Sequence, residues 1–118
     1  MEELNPLFET VSRYFSLLSD PSRLKVIHAV CNDERSVSDV MAVTGLSQSA
    51  ASRHLSSLHD AGVASRRKDG ALALYKMSDE TLIEICRTAC VNLLAREGDT
   101  ARTRAKTKKQ AERFMAQN

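Results

Sequence analysis

Two short helical patterns on either side of a glycine constrain the fold of this chain more than any other feature. The segment Ser36-Val-Ser-Asp39 resembles a capping box, in which the Ser36 hydroxyl accepts from an amide of the first turn. The connection Thr44-Gly-Leu-Ser47 leads to a second helix, which Ser47 caps and which ends near Gly62. Its inward stripe is Ala51, Leu55 and Leu58. Two helices joined in this way predict a helix-turn-helix.

The segment that follows predicts a β-hairpin. Val63 to Lys68 and Leu72 to Met77 are short extended runs. They flank Lys68-Asp-Gly-Ala71, and an Asp-Gly pair between two such runs favours a tight turn. We therefore expect a two-stranded wing after the helix-turn-helix.

Helical patterns also lie before and after this unit. Apolar residues at helical spacing begin near Pro6, and Asp20 followed by Pro21 starts a second helix. Ser78 is the expected cap of the last helix, whose apolar stripe is too wide for a lone surface helix. The fold class predicted is mainly α with a two-stranded β wing, a winged helix-turn-helix with four helices, two strands and a final helix. The outer stripes are Phe8, Val11, Phe15 and Leu18 in the first helix, and Leu82, Ile83, Cys86, Ala89, Cys90, Leu93 and Leu94 in the last.

Length and composition exclude several classes of protein. With 118 residues and five aromatic side chains, the chain predicts one domain with an aliphatic core. It contains no apolar run of about 18 residues and no signal-peptide pattern, so we expect a cytoplasmic protein without membrane contact. It also shows no paired nucleophile and base and no glycine-rich phosphate loop, which argues against an enzyme.

The charges divide the chain into two parts. Residues 1–100 carry 11 basic and 14 acidic side chains, whereas residues 101–118 carry 6 basic and 1 acidic. We therefore expect a folded domain over residues 1–98 and a basic, flexible tail over residues 99–118.

In this order of elements the sequence resembles the ArsR/SmtB family of winged-helix transcriptional repressors, over about residues 7 to 96. The resemblance rests on Leu18-Ser-Asp-Pro-Ser-Arg-Leu24, Gly45-Leu-Ser-Gln-Ser-Ala-Ala-Ser-Arg-His-Leu55, Leu58-His-Asp-Ala-Gly-Val63 and Arg66-Arg-Lys-Asp-Gly70. It implies a homodimer, formed through the first and last helices, that binds double-stranded operator DNA.

The residue types of the second helix and of the wing suit DNA. Gln and Arg can form bidentate hydrogen bonds to adenine and guanine in the major groove, and a basic wing adds phosphate or minor-groove contacts. For His54, a contact with a phosphate and a hydrogen bond to a backbone carbonyl both remain open. The candidate DNA-binding residues are Ser47, Gln48, Ser49, Ser52, Arg53, His54, Arg66, Arg67 and Lys68.

The metal sites of the family are not predicted here. Its metal sensors carry Glu-Leu-Cys-Val-Cys-Asp-Leu where this chain has Glu34-Arg-Ser-Val-Ser-Asp-Val40, and hydroxyls are poor ligands for soft metals. Of the four positions that hold zinc on the last helix of other relatives, only Asp79 could coordinate a metal. We expect no metal site and no bound cofactor.

Cys31, Cys86 and Cys90 leave three hypotheses open. They are small buried hydrophobic residues, or redox or persulfide-sensing thiols, or a three-thiolate site for a metalloid such as arsenite. The predicted function is that of a dimeric repressor, released from its operator by a small effector or by thiol modification. The alternative is a winged-helix module that binds proteins and has lost operator recognition.

Overall fold

The computed structural model describes residues 1–96 and 101–116, which form helices and one two-stranded sheet. The predicted fold class is confirmed, with a further helix at the C-terminal end. None of the helices in the described ranges has both the length and the apolar composition needed to cross a bilayer. After a short 3-10 turn at Glu2–Leu4, the elements are α1 (Asn5–Ser16), α2 (Pro21–Ala29), α3 (Val37–Thr44), α4 (Gln48–Asp60), β1 (Ala64–Asp69), β2 (Leu72–Met77), α5 (Glu80–Arg96) and α6 (Ala101–Ala116).

Three helices begin at the caps that the sequence predicts. Asp20 accepts from the amide of Ser22 at 2.8 Å. Ser36 and Asp39 form a reciprocal capping box with bonds of 3.2 and 3.1 Å. Ser47 accepts from the amide three residues ahead at 3.1 Å. Each bond satisfies an amide that the helix itself leaves unpaired, which fixes where α2, α3 and α4 start.

The cap of α5 is Asp79, so the prediction that Ser78 caps this helix was wrong. Asp79 Oδ1 accepts from the amide of Leu82 at 3.0 Å, while its Oδ2 accepts from the hydroxyl of Tyr14 at 3.0 Å. The amides of Ser78 and Asp79 both donate to the carbonyl of Val63, at 2.9 and 3.2 Å, and the first backbone bond of the helix runs from Ile83 to the carbonyl of Asp79 at 3.3 Å, so the helix starts one residue later than predicted. Asp79 therefore joins α1 to the start of α5.

The core is aliphatic, as the composition predicts. Side chains from α2, α3, α4 and α5 meet in it, and Tyr75 and Met77 close it from the wing. Because α4 contributes a full inward face, its orientation is set by burial of apolar surface rather than by its short connection to α3. The largest fully buried side chains are Ile27, Leu55, Leu58, Leu82, Ile83, Val26, Val30 and Val40.

The wing is an antiparallel hairpin whose register runs from Ala64 opposite Met77 to Asp69 opposite Leu72. Gly70 provides the left-handed backbone of the turn with φ +63°. On the other side of β2, the backbones of Arg35 and Tyr75 exchange hydrogen bonds of 3.0 and 2.9 Å. The base of the wing is thus bonded to the connection between α2 and α3.

Residues 101–116 form a helix, whereas the sequence predicts a flexible tail there. Ala, Lys, Arg and Gln dominate this segment and favour helix. Near its end Phe114 is half-buried against the core, and its ring lies edge-on to His28 at 4.6 Å between ring centroids. Ala111 and Met115 are half-buried on the same face, so a short apolar patch near its end anchors this helix. The predicted domain border at residue 98 falls outside the described residues and stays a prediction.

Candidate nucleic-acid interface

Helix α4 presents two faces of opposite character. Gln48, Ser49, Ser52 and Arg53 are exposed. The inward face consists of Ala51, His54, Leu55 and Leu58, each at most 4% exposed. Because the apolar face is held in the core, the four polar side chains form a fixed surface that can enter a groove.

The start of α4 is fixed by the turn before it. Gly45 closes α3 with φ +76°, a left-handed conformation that suits glycine, and its amide donates to the carbonyl of Met41 at 2.9 Å. The hydroxyl of Ser47 is engaged as the cap of α4. Ser47 therefore positions the helix, while the remaining amides of the first turn are available to a phosphate.

His54 is not part of the exposed surface, and its contact with DNA stays a prediction, which the burial of its side chain does not favour. Its side chain is 4% exposed because it shares the inward face of α4 with Leu55. Burial lowers the pKa of the imidazole, and the nearby Asp20 carboxylate opposes that shift only in part. Its Nε2 has no hydrogen-bond partner among the described residues. The imidazole is thus a neutral group of the core. The helical pattern does not predict this burial, because the predicted inward face contains the next residue, Leu55, but not His54.

The basic residues of the wing differ in their surroundings. Arg66 and Lys68 are exposed, and neither forms an ion pair with a carboxylate of the described residues. Arg67 instead donates from Nε and Nη2 to the two oxygens of Glu34 at 3.0 and 2.8 Å. This hydrogen bonding lowers the pKa of the Glu34 carboxyl. The three residues therefore do not form one uniform basic patch.

Glu34 belongs to this region although the sequence does not predict it there. It lies 33 positions from its partner, and no local pattern links the two. The sequence offers only their opposite charges as a signal. Because a charged sequence contains many pairs of acidic and basic residues, this signal does not identify which two are in contact. Only the tertiary fold brings this pair together.

The three cysteines lie in an environment that suits core residues. Cys31 and Cys86 are buried and Cys90 is half-buried, and no disulfide joins them. Burial, together with the neighbouring Cys90, raises the pKa of Cys86 to about 11, and burial also raises the pKa of Cys31. The thiolate is the form that attacks oxidants and binds metals, so these shifts favour the packed-core role. In the part of the chain that the structure describes, no three His, Cys, Asp or Glu side chains are arranged to hold a metal ion.

Two helices expose apolar surface that the monomer does not cover. Phe8 and Phe15 of α1 are each 50% exposed, and Val91 and Leu93 of α5 are 46% and 48% exposed. Exposed apolar side chains that cluster on two helices in this way are typical of an interface with another protein. The family resemblance implies dimer formation through these two helices.

A capped helix with a polar outer face, set beside a basic hairpin, defines a winged helix-turn-helix protein. The family model described as "Bacterial regulatory protein, arsR family" matches residues 20–66. A cadmium resistance transcriptional regulatory protein CadC homolog of Staphylococcus aureus is 34% identical over 86 residues, which cover 72% of this chain and 69% of that protein. The chain belongs to the ArsR family, as its motifs predict.

Three further comparisons describe the extent of this similarity. A probable mercury resistance operon repressor of Streptomyces lividans is 35% identical over 81 residues, 69% of this chain. The matched part spans 65% of that protein, and 65% of the cadmium regulator CadC of Listeria innocua. The crystal structure of NolR from Sinorhizobium fredii superposes with a TM-score of 0.70 at 28% identity, covering 75% of this chain and 89% of NolR.

Proposed function

We propose that this protein is a transcriptional repressor that binds operator DNA as a homodimer. The observation that carries the proposal is the outer face of α4, where Gln48 and Arg53 stand exposed on a helix whose opposite face is fully buried. Gln and Arg read adenine and guanine by bidentate hydrogen bonds. A rigid helix with these side chains near its start has the geometry of a recognition helix in the major groove.

The wing supplies attraction that does not depend on sequence. Arg66 and Lys68 are exposed on a hairpin that follows α4 after a connection of three residues. Cations in this position meet phosphates beside the groove, and each neutralised phosphate adds about 0.9 to the salt slope of binding. Affinity would therefore fall steeply with salt, while base preference would come from α4.

Dimer formation through α1 and α5 follows from the apolar surface that these helices expose. Phe8, Phe15, Val91 and Leu93 would be buried in the second copy, which gives a hydrophobic driving force for association. A two-fold dimer places its two recognition helices at half-sites about one helical turn apart. The relative from S. lividans is named as a repressor, which supports the direction of regulation proposed here.

Fluorescence anisotropy with a duplex from the promoter of the protein's own gene, compared with random DNA, tests this function. Arg53→Ala should weaken operator binding by about 1 to 3 kcal/mol and relax base preference at one position in each half-site. Analytical ultracentrifugation of the complex should give two copies per duplex. Equal losses on operator and random DNA would contradict a base-reading role for Arg53. A wild-type protein that forms no salt-sensitive complex would favour the protein-binding alternative instead.

A further inference from the structure

The wing has a side-chain tether to the body of the protein in addition to its backbone connection. Glu34 lies in the connection between α2 and α3, and Arg67 lies in the middle of β1. The guanidinium donates two hydrogen bonds, of 3.0 and 2.8 Å, to the two carboxylate oxygens. A bidentate pair of this kind fixes orientation as well as distance, because both groups are planar.

The tether crosses the hairpin. Strand β2 lies between β1 and the α2–α3 connection, since Arg35 bonds through its backbone to Tyr75 of β2. The side chain of Glu34 therefore reaches past β2 to Arg67. Lys76 of β2 also lies close enough to lower the pKa of Glu34 through its charge. One carboxylate thus interacts with both strands of the wing.

Arg67 faces away from the other two basic residues of β1. Successive side chains of a strand point to opposite faces, so Arg66 and Lys68 share one face and Arg67 lies on the other. The Glu34 carboxylate balances the charge of Arg67 and takes two of its five N–H donors, so a DNA phosphate would find a weaker partner in Arg67 than in Arg66 or Lys68. Arg66 and Lys68 have no carboxylate partner within residues 1–96 and 101–116.

The length of the wing makes the position of its tip sensitive to a small tilt, so a tether beyond the backbone bonds can matter for phosphate contacts. The hairpin begins just after Gly62, whose φ of +79° marks a turn, and a six-residue strand extends about 20 Å. A tilt of about 10° at the base would move the tip by about 3 Å, the length of a whole hydrogen bond. Phosphate contacts near the tip are lost by a displacement of that size.

We propose that Glu34 is a positioning residue for DNA binding: its pair with Arg67 holds the wing in place beside α4, and Arg66 and Lys68 make the wing's phosphate contacts. The inference rests on the proposed function. It changes the role of Arg67 from the DNA contact that the sequence suggests to a structural link. Glu34 then supports binding even though its charge repels DNA.

Salt titrations of binding to the promoter duplex distinguish contact from positioning. Arg66→Gln and Lys68→Gln should each flatten the slope of log affinity against log salt by about 1.8, because each change removes one phosphate contact in both protomers of the dimer. Arg67→Gln should leave the slope unchanged and weaken binding about two- to fivefold, the range of coupling for exposed ion pairs. Glu34→Gln should cause the same loss, and the double variant no more than either single one. Asp33→Asn, which removes the same charge from the same connection, is the matched control and should not weaken binding.

Three results would overturn the proposal. A slope flattened by Arg67→Gln would make that arginine a phosphate contact. Tighter binding by Glu34→Gln would show that the carboxylate only repels DNA. Additive losses in the double variant would show that the two residues act separately.

Amide hydrogen exchange of the DNA-free protein measures the tether independently of DNA. Glu34→Gln and Arg67→Gln should both speed exchange in β1 and β2, whereas Asp33→Asn should not. Unchanged exchange in both variants would refute the tether. If wild-type protein forms no salt-sensitive complex, the proposed function fails, and with it the role of Glu34 in DNA binding, whatever the exchange rates show.

Discussion

Asp79 has two structural roles, and a double-mutant cycle can separate them. Its Oδ1 caps α5, and its Oδ2 accepts from the hydroxyl of Tyr14 on α1. Asp79→Ala should remove a cap worth about 1 kcal/mol and a hydrogen bond worth about 1 kcal/mol, and so lower the free energy of unfolding by about 2 kcal/mol. Tyr14→Phe removes only the second contribution and should cost about 1 kcal/mol.

The two contributions are linked through one carboxylate, which predicts a coupling. In the Asp79→Ala background, Tyr14→Phe should have almost no further effect, so the coupling free energy is about 1 kcal/mol. Urea unfolding followed by circular dichroism gives these values, at one fixed protein concentration because dimer formation adds to apparent stability. Ser78→Ala is the control, since Ser78 is exposed and does not cap the helix, and it should cost less than about 0.5 kcal/mol. An equal loss for Ser78→Ala, or additive losses for Asp79 and Tyr14, would refute this account.

Two further predictions concern the buried histidine and the C-terminal helix. Burial lowers the pKa of His54 in the folded protein below its value of about 6.5 in the unfolded chain. The free energy of unfolding is therefore highest above about pH 6.5 and falls as the pH drops toward the pKa of the folded protein. His54→Asn should therefore make the free energy of unfolding less dependent on pH below about pH 6.5. A smaller dependence should remain from His28, whose pKa burial also lowers. The same pH dependence in variant and wild type, measured by urea unfolding, would count against this account. Deleting residues 101–118 removes 6 basic and 1 acidic side chains and should flatten the salt slope of DNA binding while keeping operator preference. Phe114→Ala in the full chain is the control, expected to loosen α6 without changing the slope; a slope unaffected by the deletion would leave α6 without a role on DNA.

Local signals determined much of the fold. Asp20, Ser36 and Ser47 start their helices where the sequence predicts, because a cap is a bond between residues two or three positions apart. The Asp-Gly pair before Ala71 gave the wing turn for the same reason. The sequence also predicted the outer face of α4, because helical spacing places its polar residues on the side opposite Leu55 and Leu58.

The features that the sequence did not reveal depend on contacts between distant segments. The cap of α5 lies at Asp79 because the amides of both Ser78 and Asp79 pair with the distant Val63 and helical bonding begins at the carbonyl of Asp79. His54 lies just beyond the edge of a predicted apolar face, and only the surrounding helices decide that it is buried.

The sequence by itself determined which segments become helices and strands and which family the chain resembles, because those properties depend on neighbours along the chain. Only the tertiary structure decided what the charged side chains do. Arg66, Arg67 and Lys68 form one basic run in the sequence, yet strand alternation and a carboxylate 33 residues away set Arg67 apart from the other two. Charge acts through space, so its role follows from the fold and not from the order of residues.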